Sequence, residues 1–77
     1  MAETIKRRID LQGVACPMNF LKAKLALEEL DSGERMEVIL DEGEAMINVS
    51  RSLKDDGHKI IKVDPLGKTF RVIIEKG

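Results

Sequence analysis

The transition from strand to helix that decides this fold lies in Gly13-Val14-Ala15-Cys16-Pro17-Met18-Asn19-Phe20-Leu21-Lys22-Ala23-Lys24. This stretch holds the only cysteine of the chain and one of its two prolines. Pro17 fits the first position of a helix, where a missing N–H costs nothing and φ is already suitable. Cys16 is then the predicted N-cap, facing unpaired amide donors and the positive end of the helix dipole. Such a setting favours the thiolate and lowers a cysteine pKa from about 8.5 into the range of roughly 3.5–7.5.

The length and composition predict one small domain over residues 1–77. Hydrophobic residues make up 43% of the chain and charged residues 35%. The net charge of −1 gives no reason to expect binding to nucleic acid or to a membrane surface. One cysteine cannot form an internal disulfide, and no signal peptide or transmembrane run is evident. We therefore expect a protein of the reducing cytoplasm.

The first half of the chain predicts a strand followed by a helix. Residues 4–11 alternate between apolar and polar side chains, with Arg7 as a basic intruder on the apolar side. The helix that opens at Cys16-Pro17 is predicted to run to about Asp31, where Ser32-Gly33 ends it as an αL-type stop. One broad face of this helix forms the predicted core stripe, which consists of Phe20, Ala23, Ala26, Leu27 and Leu30.

The second half predicts a strand, a helix and a hairpin. Met36, Val38 and Leu40 alternate with polar or outward positions, which predicts a second strand. Asp41 followed by Glu44 resembles a capping box for a second helix that ends at Gly57. The predicted inward face of that helix carries Met46, Val49 and Leu53. Residues 58–64 and 69–76 are β-rich runs around the turn signal at residues 65–68, and they predict an antiparallel hairpin.

The element order βαβαββ predicts an α/β (α+β) two-layer sandwich, with a mixed four-stranded sheet and two helices on one of its faces. Phe70, Val72 and Ile74 should face the helices from the last strand, with Ile73 turned the other way. We expect the far face of the sheet to be polar, carrying Lys6, Arg8, Glu37, Lys62, Arg71 and Glu75.

Cys16 is the candidate catalytic residue because its side chain should point towards solvent and amide donors rather than into the core. A free cysteine can also be an inert, buried side chain. One cysteine and one histidine, His58, are two ligands short of a structural zinc site, so we expect no metal. His58 should begin the third strand as a partly exposed residue, and no local signature pairs it with Cys16.

A second, narrower stripe on the first helix is a candidate for partner docking. It consists of Leu21 and Leu25, flanked by charges that include Lys22 and Lys24. Leu21 and Leu25 could instead pack at the edge of the core. The two lysines, with the basic residues Lys6, Arg7 and Arg8 of the first strand, could form a basic rim near the thiol or an ordinary solvated face.

The chain resembles the TusA/SirA-like small sulfur-transfer proteins. Their signature, Asp-x-x-Gly-x-x-Cys-Pro-x-Pro, appears here as Asp10-Leu11-Gln12-Gly13-Val14-Ala15-Cys16-Pro17-Met18-Asn19. The likeness extends to Gly33-Glu34, to Asp41 and to Gly57-His58. The family fold resembles the C-terminal domain of translation initiation factor 3 and agrees with the order βαβαββ. Asn19 stands where the second proline of the signature belongs, and it keeps a backbone donor that proline would remove.

The resemblance implies sulfur relay by a persulfide sulfurtransferase that needs no cofactor. Cys16 would accept sulfane sulfur from a cysteine desulfurase or a rhodanese-like donor protein and pass it to an acceptor protein. Gly13 would let the chain approach the helix start, Pro17 would fix the turn, and the amides of Met18 and Asn19 would stabilise the persulfide anion. Such a carrier would be a monomer or a weak dimer.

Two other functions remain open from the sequence. A non-catalytic interaction module would use Leu21 and Leu25 and would not need Cys16. RNA binding would follow only from fold analogy, and the near-neutral charge and the scarcity of aromatic residues argue against it.

Overall fold

The computed structural model describes residues 5–15 and 18–77. Their elements follow the predicted order βαβαββ. The helices and strands are β1 (Ile5–Asp10), α1 (Met18–Glu28), β2 (Arg35–Asp41), α2 (Glu44–Asp55), β3 (Lys59–Pro65) and β4 (Thr69–Glu75).

The strands form one mixed four-stranded sheet in the order β1-β2-β4-β3. β1 lies parallel to β2, while β4 runs antiparallel to both β2 and β3. The predicted hairpin is confirmed, with the Leu66 N–H donating to the Thr69 carbonyl oxygen at 2.8 Å across the turn. Asp41 pairs with Thr69, so the ends of β1 and β2, the hairpin turn and the starts of both helices share one end of the sheet.

The two helices cover the face of the sheet that carries Met36, Val38 and Leu40, all of which are buried. These side chains belong to one apolar cluster with the core stripe of α1 and with Val49 and Leu53 of α2. The predicted two-layer sandwich is therefore confirmed. Burying this aliphatic cluster is the main favourable term in folding, at about 25 cal/mol per Å² of apolar surface.

α1 ends at Glu28, three residues before the predicted end at Asp31. The Glu29 N–H donates to the Ala26 carbonyl oxygen and the Leu30 N–H to the Leu27 carbonyl oxygen, so the chain tightens into shorter-range bonds there. Gly33 has φ 89° but lies beyond the helix, where its N–H donates to Lys76 across the sheet. The Gly33 region is therefore the turn into β2 and not the stop of α1.

The far face of the sheet is charged, but it also buries Ile73, which is only 4% exposed. Ion pairs lie on this face, both between neighbouring strands and within β3. They join Arg8 to Glu37 at 3.4 Å, Arg71 to Glu37 at 3.7 Å, Arg71 to Asp64 at 2.8 Å and Lys62 to Asp64 at 3.7 Å. The face is therefore not uniformly polar, because the stems of charged side chains cover an apolar residue.

β1 has a register shift at Lys6, between the pairs Ile5–Arg35 and Arg7–Met36. Arg7 therefore lies opposite a buried residue on the helix-facing side, and there it forms an ion pair with Glu29. Bulges and charges of this kind are common on edge strands, which they protect from pairing with other chains.

The predicted capping box of α2 is wrong. Asp41 is the last residue of β2, and the N-cap position is Gly43, with φ 91° and no side-chain capping bond. Glu44 in the first turn still interacts favourably with the helix dipole. Within residues 5–15 and 18–77, neither helix is long and apolar enough to span a membrane.

Candidate functional site at the junction of β1 and α1

Cys16 and Pro17 lie outside the described residues, so the predicted N-cap role of Cys16 and the helix-start role of Pro17 remain predictions. The chain is described on both sides of them. Residues 11–15, here called the junction loop, connect β1 to Cys16, and α1 begins at Met18.

Asp10 and Leu11 hold the first part of the junction loop. The Asp10 carboxylate accepts the Gln12 N–H at 2.9 Å and the Gln12 side-chain amide at 3.2 Å. Leu11 is buried, and its N–H donates to the Ile39 carbonyl oxygen at 2.9 Å, which continues the pairing with β2. The Val14 N–H then donates to the Leu11 carbonyl oxygen at 3.2 Å. The loop is therefore a hydrogen-bonded turn.

Gly13 is bound from a different strand. Its N–H donates to the Asp41 carboxylate at 2.8 Å, across 28 positions of sequence. Gly13 adopts φ 74°, a region that side chains with a Cβ rarely occupy, while a Cβ built there would meet no atom of residues 5–15 and 18–77 within 4 Å. The backbone conformation therefore favours glycine at this position, while the predicted approach of the chain to the helix start, which involves Cys16 and Pro17, stays a prediction.

The first turn of α1 corrects the expectation for Asn19. Its N–H donates to the Ala15 carbonyl oxygen at 3.1 Å, so this amide is already used and is not a free anion donor. The side chain is 1% exposed, and its Oδ1 accepts the Phe20 N–H at 2.7 Å. Asn19 therefore satisfies a backbone donor of the first helical turn. Met18 is exposed, and its predicted role as an amide donor stays a prediction.

The family comparison covers the junction loop and the residues after it. Residues 7–76 match the family described as sulfurtransferase TusA. The chain belongs to the TusA family. A candidate sulfur carrier protein of Archaeoglobus fulgidus is 39% identical over 69 residues, which cover 88% of this chain and 78% of that protein. Another from Methanocaldococcus jannaschii is 36% identical over 70 residues, which cover 91% of this chain and 93% of the relative.

A solved structure supports the same assignment. A SirA-like protein of Desulfitobacterium hafniense has a TM-score of 0.78 and 26% sequence identity, covering 92% of this chain and 97% of its own. The resemblance inferred from the motif at residues 10–19 is therefore confirmed, and so is the TusA-like fold.

The outer stripe of this TusA-family chain, Leu21 and Leu25, is exposed by 44% and 53%. Both leucines are therefore about half exposed and are not among the buried residues of the core cluster, and partner docking stays a prediction. Leu25 and Lys22 line a groove of about 430 Å³ between α1 and the edge strand β1. Its other walls are formed by Arg7, Ile9, Asp10, Leu11, Ala26 and Glu29.

The basic residues near the junction are mostly paired with carboxylates. Lys6 lies 3.6 Å from Glu34, and Lys24 lies 3.9 Å from Asp56. Arg7 and Arg8 pair with Glu29 and Glu37. Lys22 has no ion pair within the part of the chain that the structure describes. The predicted basic rim is therefore largely neutralised, with Lys22 as its unpaired member.

His58 lies away from the junction. It precedes Lys59, which pairs with Glu75 at the end of the sheet opposite Asp41 and Thr69. It is partly buried, as predicted, and its Nδ1 accepts the N–H of Gly77 at 3.2 Å. Among residues 5–15 and 18–77, no group of three potential metal ligands comes together.

Proposed function

We propose that this protein is a sulfur carrier that holds sulfane sulfur as a persulfide on Cys16. One observation carries the proposal: the only cysteine follows the junction loop directly, inside the range that matches the TusA family. Two relatives named as candidate sulfur carriers support the same role. A single thiol that must stay reduced suits the cytoplasm, where we propose that the protein acts.

The proposed loading step is a thiol–persulfide exchange. The Cys16 thiolate attacks the outer sulfur of a persulfide on a cysteine desulfurase or a rhodanese-like donor. A new S–S bond forms at Cys16 while the S–S bond of the donor breaks, and the donor cysteine leaves as a thiolate. No electrons are gained or lost overall, so the step needs no external oxidant and no cofactor. An acceptor protein then takes the outer sulfur in the same way.

The helix start supports this chemistry through its backbone dipoles. Amide donors at a helix N-terminus stabilise a thiolate and a persulfide anion, both of which carry negative charge. We assign this role to the amide of Met18, because the amide of Asn19 donates to the Ala15 carbonyl oxygen. Gly13, with φ 74°, sets the path of the chain before Ala15, and the predicted role of Pro17 is to fix the turn that follows.

Relay through the protein is tested with labelled sulfur. The protein is loaded by a cysteine desulfurase and radiolabelled cysteine, separated from both, and mixed with a thiol acceptor. We expect label to move from the protein to the acceptor, and none to be carried by the Cys16→Ser variant. Label that stays on the protein, or that is equal in the variant, would contradict the proposal.

We further propose that the outer stripe and Lys22 contact the sulfur-donor protein. Apolar side chains about half exposed next to an unpaired cation are typical of a docking surface that also selects by charge. Leu25→Asp should weaken binding to the desulfurase at least about fivefold, as loss of a central apolar contact costs more than about 1 kcal/mol. Calorimetric titration of the desulfurase with the wild type and with the variant measures this change in affinity.

The matched control for this prediction is Ile47→Asp. Ile47 is 56% exposed on α2, close to the 53% of Leu25, but it lies outside the groove. Equal loss of affinity in both variants, or no loss in Leu25→Asp, would remove the outer stripe from the docking surface.

A further inference from the structure

Each of the four backbone amides at residues 11–14 of the junction loop donates a hydrogen bond. Leu11 N–H is taken by β2, Gln12 N–H by Asp10, Gly13 N–H by Asp41 and Val14 N–H by the Leu11 carbonyl oxygen. Of these four bonds, only the one to Asp41 comes from a side chain of another strand. We propose that Asp41 is a positioning residue, which holds the junction loop so that Cys16 is presented at the start of α1. This inference rests on the proposed function only in taking Cys16 as the reacting group.

Asp41 is suited to this role because its own backbone is fixed. It pairs with Thr69 of β4, and the next residue, Glu42, donates its N–H to the Lys68 carbonyl oxygen at 3.1 Å. The Asp41 side chain therefore extends from a position held by the sheet. Its bond to Gly13 is charge-assisted, and bonds of this type are shorter and about twice as strong as neutral ones.

Gly13 is the part of the loop that most needs an external contact. Glycine loses more conformational freedom on ordering than any other residue, and Gly13 must occupy φ 74°. It lies three residues before Cys16 in the sequence. Without the Asp41 bond, the chain that leads into Cys16 would sample other paths, and the thiolate would lose part of its stabilisation by the helix start.

The carboxylate could act on the thiol in a second way that predicts the opposite sign. A negative charge near a thiolate disfavours it, so Asp41 acting by charge alone would raise the thiol pKa. Asp41→Asn removes the charge but keeps an oxygen that can accept the Gly13 N–H. Asp41→Ala removes both. The two variants therefore separate positioning from charge.

The test measures the rate of disulfide exchange between Cys16 and a dithiodipyridine reagent across a range of pH. If positioning is lost in Asp41→Ala and the thiol pKa rises by about one unit, the thiolate fraction below the pKa falls about tenfold while its nucleophilicity rises about threefold. At pH values below the wild-type thiol pKa, we expect the Asp41→Ala rate to be about three- to fourfold slower, with its pH profile shifted upward. Asp41→Asn should stay at or above the wild-type rate.

Glu34→Ala is the matched control. Glu34 also accepts a backbone N–H through its carboxylate, that of Asp31 at 2.7 Å, but it lies at the opposite end of β2. The thiol of the Glu34→Ala variant should react at the wild-type rate even if the Tm of the variant falls. A merely structural role for Asp41 would lower the Tm and leave the pH profile in place.

Three results would overturn the proposal. The first is an Asp41→Ala profile equal to that of the wild type, and the second is an equal acceleration in both Asp41 variants, which would assign the effect to charge. The third result applies if Asp41→Ala does not fold. Hydrogen exchange of the Gly13 amide is then measured in the wild type, and a rate as fast as that of an unbonded amide would overturn the proposal. Because the reagent replaces every sulfur donor, these results do not depend on whether Cys16 accepts sulfur.

Discussion

Three residues of the junction show how backbone donors are satisfied where a strand turns into a helix. Asp10 binds its own turn, Asp41 binds Gly13 from the next strand, and Asn19 covers the amide that follows it. Polar side chains thus accept the amide hydrogens of Gln12, Gly13 and Phe20. The described residues of the motif at positions 10–19 therefore have a structural role of their own.

Asp64 predicts a pH dependence of stability. Its hydrogen bond with Arg71 lowers the pKa of Asp64 from the ordinary value of 3.8, and Lys62 acts in the same direction. A lowered folded-state pKa gives stability that is present above the unfolded value and is lost as the pH falls through the folded one. The Tm of the wild type should therefore exceed that of Asp64→Asn by a constant amount at neutral pH. This difference in Tm should shrink below about pH 3.8.

The contact of Asp64 with Arg71 spans two strands, so the substitution also tests the ion-pair network of the far face. A gap in Tm that stays constant down to strongly acidic pH would contradict the assignment of the lowered pKa to the charged carboxylate.

At the level of elements, α1 has two apolar stripes, one of which packs in the core while the other is exposed. Leu27 is fully buried in the core cluster, while Leu25 is 53% exposed in the same helix. Leu27→Ala should reduce the free energy of unfolding by about 2–5 kcal/mol, because it leaves a cavity in the core. Leu25→Ala should change it by less than about 0.5 kcal/mol. Urea unfolding of the two variants, which have the same change of side chain, measures this difference, and equal losses would contradict the assignment of the stripes.

The element order and the inward faces could be predicted from the sequence because both depend on periodicity. Alternation defines β2 and β4, and helical spacing places Ala23 and Leu27 on one face. The role of Asp41 could not be assigned in the same way. An acidic residue three positions before Glu44 satisfies a local capping rule, yet a tertiary contact with Gly13 takes its carboxylate. The position of Asp41 at the end of a strand parallel to β1 indicates its role more strongly, since the ends of parallel strands meet at one edge of a sheet.

At the level of the whole molecule, the topology brings distant parts of the chain to the junction loop. The ends of β1 and β2, the hairpin turn and both helix starts share one end of the sheet. Patterning and family resemblance predicted the order βαβαββ, the mixed sheet and the hairpin, whereas the strand order β1-β2-β4-β3 that brings these ends together is a finding of the structure. The exposure of Leu21 and Leu25 and the pairing of Arg7 with Glu29 could not be predicted, since both depend on how far α1 stands from the edge strand.

The central claim is that Cys16 carries one sulfur atom, and intact mass spectrometry without reductant tests it most directly. The protein is incubated with a cysteine desulfurase and cysteine, beside the Cys16→Ser variant. The account predicts a gain of one sulfur atom that maps to Cys16, disappears with reductant and is absent from the variant. No gain with several different donors, from a protein whose thiol remains free and reactive, would contradict it.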